Sequence, residues 1–321
     1  MGYMAHLTPS FTNRTNWANP PRALSLALLV FGATPAMANE PPAAVVDGVV
    51  MPAWLERAGK RQPVAPGMVL QERDRIETGT NARILLTLPE GSKIKLGEKA
   101  QLGFDTLMAK REGNEGNIFL QSALRVATGA FRFTTNALAG ITSRRDVSIR
   151  LATVTAGIRG TDLWGKQGGD KEIVCLLEGK IEVARDPVAG QSSEPITMDQ
   201  PLQFYIAPKD QPALPLDRVP DDKLALWAAE TEITRDAGGT SLDGQWKISF
   251  DKQTTFATAI ALYEELRNQG YAAQFYPDRQ NGKRIFRVEL QHLSSEGDAR
   301  ALVAKWVAST KAISGTPSVS R

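Results

Sequence analysis

Helical periodicity is scarce between residues 45 and about 206, and this restricts the fold of the segment more than any other feature of the chain. Short runs rich in Val, Ile, Leu and Thr are punctuated by Gly, Pro and Asn, the pattern of strands joined by turns. Arg83 to Leu88 and Ser92 to Leu96 flank Pro89-Glu90-Gly91, while Ile173 to Leu177 and Lys180 to Ala184 flank Glu178-Gly179. The same glycine-containing turn chemistry therefore predicts two hairpins. The polar stretch Ala109 to Gly116 predicts a mobile hairpin tip. An all-β domain over 45–206 follows.

Beyond it the pattern changes. Residues 207–220 hold four prolines, Leu224, Leu226, Trp227 and Ile233 predict a short helix, and Gly238-Gly239-Thr240-Ser241 predicts a flexible connection. Residues 207–243 thus read as a linker that lets its two neighbours move independently unless the Trp227 helix docks. From Gly244 to Arg321 the spacing predicts a small α+β module of order βαββαβ. Trp246, Ile248 and Phe250 alternate with Lys247, Ser249 and Asp251, and Phe256, Ala259, Ile260, Tyr263 and Leu266 recur at helical spacing. Asn281-Gly282 sits between two strand-like runs, with Arg279 placed in the loop, and Ala299, Leu302, Val303, Trp306 and Val307 form a second helical stripe.

Two resemblances rest on these residues. Pro66-Gly67-Met68-Val69-Leu70, Asp74-Arg75-Ile76-Glu77-Thr78-Gly79, Ile158-Arg159-Gly160-Thr161 and Glu178-Gly179-Lys180-Ile181 follow the order of motifs in the FecR domain, which the segment resembles. The resemblance implies an interaction or sensor module. In the motif Arg159, Gly160 and Thr161 the residues read as structural, with Gly157 and Gly160 permitting a sharp strand connection or close backbone approach and Arg159 donating to turn carbonyls or contacting a ligand. The C-terminal module resembles the SPOR domain, through Ala259, Leu262, Leu266, Gly270 and Tyr271 on the first helix and Phe286-Arg287-Val288 on a strand. That resemblance implies binding of peptidoglycan glycan strands through the uncovered sheet face, here Lys247, Ser249, Asp251, Ile285, Arg287 and Glu289. The family's Q-x-G-S-F is replaced by Ser249-Phe250-Asp251-Lys252-Gln253.

Arg14 and Arg22 precede an apolar run from Ala23 to Ala33 and then Ala36-Met37-Ala38, which predicts a signal peptide over 1–38 cleaved after Ala38. The run is too short to span a bilayer, so the expected mature protein is periplasmic without a transmembrane anchor. FecR proteins with an anti-sigma segment and a membrane helix transmit signals to the cytoplasm. Neither feature is read here, so that role is not expected to carry over. Residues 244–321 hold eleven Lys or Arg against seven Asp or Glu, a charge of +4, and 39–243 carry about −3. The basic end suits an anionic polymer, and export removes nucleic acid as a partner.

Cys175, the only cysteine, lies in an apolar strand-like run and reads as packing. With His292 as the only histidine after residue 38, neither a metal site nor a catalytic triad is expected, and no cofactor loop is present. The sequence therefore predicts a non-enzymatic multidomain envelope protein that binds glycan and presents a FecR-like module to an unidentified envelope protein, possible sites of action including the division septum. Two alternatives stay open: an envelope enzyme using paired carboxylates, and a periplasmic FecR-type sensor or scaffold without glycan binding.

Overall fold

The computed structural model describes residues 44–112, 117–136, 144–188, 190, 194–253, 255–309 and 317–321. The signal peptide expected over 1–38 lies outside them, as does the centre of the expected hairpin tip, 113–116.

The 18-residue strand Asn117–Thr134 belongs to two sheets. Its first part pairs antiparallel with Gln101–Glu112 and parallel with Arg144–Arg150. From Gly129 onward it pairs with Asp162–Gln167 and Lys93–Leu96. Gly129 has a φ of +86°, and a Cβ there would lie 2.5 Å from Cα of Ala100, so the crossing requires glycine. On one side the sheet continues through Val154–Ile158 and Ile181–Arg185 to Ile196–Met198. The other sheet runs from Ala44–Val50 through Arg83–Thr87 and Lys93–Leu96 to Asp162–Gln167, Lys171–Glu178 and Gln203–Pro208. Alternating residues such as Leu86, Phe133 and Val174 on one sheet and Phe104, Leu124 and Ile149 on the other share a core, as a β-sandwich requires.

Only one of the two expected hairpins forms. Arg83–Thr87 and Lys93–Leu96 pair around the Glu90-Gly91 turn. Lys171–Glu178 and Ile181–Arg185 do not pair with each other, because Gly179-Lys180 carries the chain from one sheet to the other. Gly179, at φ +92°, would place a Cβ 2.3 Å from the carbonyl oxygen of Gly160, so two sheet-crossing corners press together there.

The segment 207–243 also departs from the flexible linker expected. Its helix forms over Asp221–Thr231, and Trp227 stacks on Trp164 with centroids 4.7 Å apart and planes 4° apart. The outer face of the sheet supplies Trp164, Ile173 and Cys175 to this contact region. Glu230 pairs with Lys166 at 2.8 Å, and Glu232 pairs with Lys95 at 2.7 Å and Arg132 at 3.3 Å. Gly239–Ser241 is then a strand paired with Ala44–Val50. A polar, glycine-rich composition gave no sign of these partners, which lie far away in sequence.

The C-terminal elements follow in the order βαββαβ: Trp246–Gln253, Phe256–Asn268, Ala273–Gln280, Lys283–Leu293, Glu296–Ser309 and Ser318–Ser320. Lys283–Leu293 pairs with Trp246–Gln253 and Ala273–Gln280, and Ser318–Ser320 forms the far edge, all antiparallel. Asn281 and Gly282, at φ 51° and 76°, make the two-residue turn. The strands run up to that turn, so Arg279 lies in a strand opposite Arg284 and not in the loop expected for it. Asp298 accepts hydrogen bonds from the backbone N–H groups of Gly238 and Gly239 at 3.1 and 2.9 Å. Trp54 Nε1 donates to the Asn268 carbonyl, and Lys305 Nζ donates to that of Met51. Residues 40–321 accordingly form one unit.

Candidate functional site

Helices Phe256–Asn268 and Glu296–Ser309 bury Ala259, Leu262, Leu266, Ala299 and Leu302 against the apolar face that carries Ile248, Phe250, Val288 and Leu290. The opposite face takes the alternate residues. Ser249 stands opposite Glu289, Glu289 opposite Gln274, and Arg287 opposite Tyr276, so three strands bring Ser249, Arg287 and Glu289 together. Lys247 and Ile285 share that face at its two ends and are half-buried. A bulge between Phe250 and Gln253 interrupts the alternation, and the side chain of Asp251 lies outside the described residues.

Glu289 is the centre of the face and is buried, against the outward exposure expected of it. Its carboxylate accepts from Ser249 Oγ at 3.1 Å and Gln291 Nε2 at 2.9 Å, and Arg287 Nη1 lies 3.5 Å away. Ser249 is likewise buried. Both residues were placed on the correct face by period 2. Glu289 lies between Ser249 and Gln274 of the two neighbouring strands, partners that a single strand does not reveal. Asp278 Oδ2 lies 3.2 Å from Arg287 Nε, within ion-pair distance, yet without the alignment of a hydrogen bond. Two carboxylates therefore hold one guanidinium, which keeps unused donor capacity on a side chain that is 37% exposed. Gln274, Tyr276, Asp278 and Gln291 were not singled out from sequence, although the same alternation on the neighbouring strand contained the first three.

The second candidate, Arg159-Gly160-Thr161, forms the other sheet-crossing corner, between Val154–Ile158 and Asp162–Gln167. Gly160 has a φ of +72°, which explains its glycine. Thr161 is buried, its N–H donates to Thr135 Oγ1 at 3.0 Å and its carbonyl accepts from the Thr135 N–H at 2.9 Å. Arg159 does not donate to turn carbonyls. It is exposed and makes no hydrogen bond or ion pair among the described residues. Gly157 differs from expectation too, lying inside a strand and not at a turn.

Asp74 adds a role that sequence reading did not assign. It is buried, binds Arg57 through Nε and Nη2 at 2.8 and 2.6 Å, and accepts from the Gln71 N–H at 2.8 Å. Thr78 Oγ1 donates to the Gly97 carbonyl and accepts from the Ala100 N–H, tying the same motif to its neighbours. These groups and the Gly160-Thr161 corner are set by the fold, in register with a recurring motif order. Residues 74–182 match the FecR protein family.

This FecR-like segment covers about a third of the chain, and the match does not extend to residues 244–321. No curated protein matches the chain. Two solved structures of a provisionally assigned anti-sigma factor from Parabacteroides distasonis are similar to it. One is 11% identical, covers 66% of this chain and 97% of its own, and has a TM-score of 0.37. The other is 14% identical, covers 74% and 91%, and has the same TM-score of 0.37.

Cys175 is buried, and burial pushes its thiol up to about 12. Among the described residues no group of three His, Cys, Asp or Glu side chains is placed to hold a metal, and no helix is long and apolar enough to cross a membrane.

Proposed function

We propose that the chain is a non-enzymatic, exported envelope protein in which a FecR-type sensor or scaffold module is held to peptidoglycan by a SPOR-like module over residues 244–321. The observation that carries the glycan reading is Arg287, fixed between Asp278 and Glu289 on the face the helices leave open. A guanidinium held in this way can donate several hydrogen bonds to sugar hydroxyls or to the carboxylate of a lactyl group without first being ordered. Lys247 adds positive charge at the strand's start. The function would be positional: a modest-affinity module concentrates its attached partner wherever the glycan is exposed.

A second reading, a FecR-type sensor or scaffold without glycan affinity, is favoured by a different observation. Ser249 and Glu289 bond to each other and are buried, which withdraws two of the six candidate contacts from a ligand. Incubation of the mature protein with sacculi stripped of stem peptides, with intact sacculi as comparison, separates the two. Retention on the stripped sacculi supports the first reading, and retention on neither supports the second.

A further inference from the structure

The open face of the sandwich beside the Arg159 corner is a cavity of about 1060 Å³ built from four strands. Cross-strand register sets Ser148, Gly157, Glu182 and Thr197 in one row across it, and Thr155 and Ala184 in the next. The alternate residues Val147, Ala156, Ile158 and Val183 face the core, so the floor of this cavity is made mostly of small side chains and bare backbone. Gly157 lies in the middle. A Cβ there would meet only the Glu182 carbonyl oxygen, at 3.9 Å, so neither sterics nor backbone conformation requires glycine at this position. Its effect is to deepen the floor.

Positive charge gathers at one end. Arg159 and Lys180 come from the two corners that press together at Gly160 and Gly179, and neither makes an ion pair among the described residues. Arg145 does not join them: it shares the core-side face of its strand with Val147 and donates to Ser92 Oγ at 3.5 Å. Arg144 also lines this end, its guanidinium 5.2 Å from the Phe119 ring, and Asp146 and Glu182 are the acidic residues of the lining. Among the described residues no aromatic side chain lines the cavity.

The geometry points to a docking site for an extended peptide of a partner protein, with carboxylates at the cationic end and small neutral residues along the floor. Four strands about 4.8 Å apart offer a width that accommodates about four to six extended residues. Arg pairs with carboxylates in bidentate fashion, which makes the cationic end selective for acidic side chains. Glu182, in the middle of the floor, disfavours acidic residues further along. This deepens the interaction-module reading of the FecR-like segment and is independent of glycan binding, which the sacculus experiment tests separately.

Selection of a displayed random-peptide library on the immobilised mature protein tests the proposal. The expected outcome is a set of peptides with two or more acidic residues clustered at one end. Their affinity should fall roughly tenfold or more in Arg159→Glu/Lys180→Glu, as loss of close charge pairs gives. It should fall similarly in Gly157→Val, which fills the floor with a residue that suits a strand, while the melting temperature is kept. Lys209→Glu, at a separate cavity, should leave affinity unchanged. Failure to enrich any peptide, enrichment without acidic preference, equal affinity for Gly157→Val, or an equal loss in Lys209→Glu overturns it.

Discussion

Arg287 and Arg279 differ in setting although both belong to the same hairpin. Arg287 is held by Asp278 and Glu289 near the centre of the sheet, whereas Arg279 pairs with Arg284 beside the turn. Arg287→Ala is expected to weaken binding to stripped sacculi by about tenfold to a hundredfold, the loss of one charge-assisted hydrogen bond or more. Arg279→Ala should cost much less, since attraction at an exposed site is screened by salt. A co-sedimentation titration with parallel melting curves decides it, and equal losses in two equally stable variants would favour diffuse attraction. At Cys175 the prediction concerns reactivity. Its thiol titrates near 12 in the folded protein against 9.0 ordinarily, so the folded form holds the proton longer than the unfolded chain. Stability from this group is therefore present below about 9 and lost as pH rises toward about 12. A thiol reagent at pH 8 should label the native protein far more slowly than the urea-unfolded one, and rapid native labelling would contradict the burial. The apolar run around Cys175 made this packing readable in the sequence. The burial of Glu289 was not readable, since it depends on Ser249 and Gln291, one of which lies 40 positions away.

The docked helix Asp221–Thr231 shows which contacts hold an element in place. Trp227 buries an aromatic face on Trp164 and meets Phe204 edge-on at 6.1 Å. Glu232 reaches Lys95 and Arg132, but its side chain is 39% exposed. Trp227→Ala should lower stability by about 2–4 kcal/mol, toward the range for removing a large aromatic from a packed site. Glu232→Gln should cost less than about 1 kcal/mol, because solvent screens a pair this exposed. Urea unfolding of both variants tests the ranking, and a larger loss in Glu232→Gln would show that charge holds the helix. The sequence announced the helix through Leu224 and Trp227, but not its docking, because the helix has apolar residues on more than one side, including the exposed Leu226. A similar gap explains the second expected hairpin. Glu178-Gly179 has the composition of a tight turn, yet positive φ serves a sheet-crossing corner equally well, and only the pairing partners distinguish the two.

Across the whole molecule, the joint between the FecR-like region and the C-terminal module determines whether they behave as two bodies or one. The strand Gly239–Ser241 pairs with Ala44–Val50 on one side and, through Thr240 and Leu293, with the module on the other. Asp298, buried in the module, accepts from Gly238 and Gly239 and from Ser295 Oγ at 2.7 Å. A fragment beginning at Gly244 loses that strand and leaves the Asp298 carboxylate with only its local partner. A fragment beginning at Asp236 retains both backbone donors. Hydrogen bonds to a charged group contribute about 1.5–3 kcal/mol each, so the longer fragment, with two of them, should be the more stable by about 3–6 kcal/mol. Asp298→Ala in the longer fragment should remove most of that advantage. In the mature protein the shared strand should couple the two regions, giving one calorimetric transition whose enthalpy matches the van't Hoff value. Two separate transitions, or fragments of equal stability, would show that Gly239–Ser241 joins the regions without holding them together. The module would then move on a flexible connection, as its glycine-rich sequence first suggested.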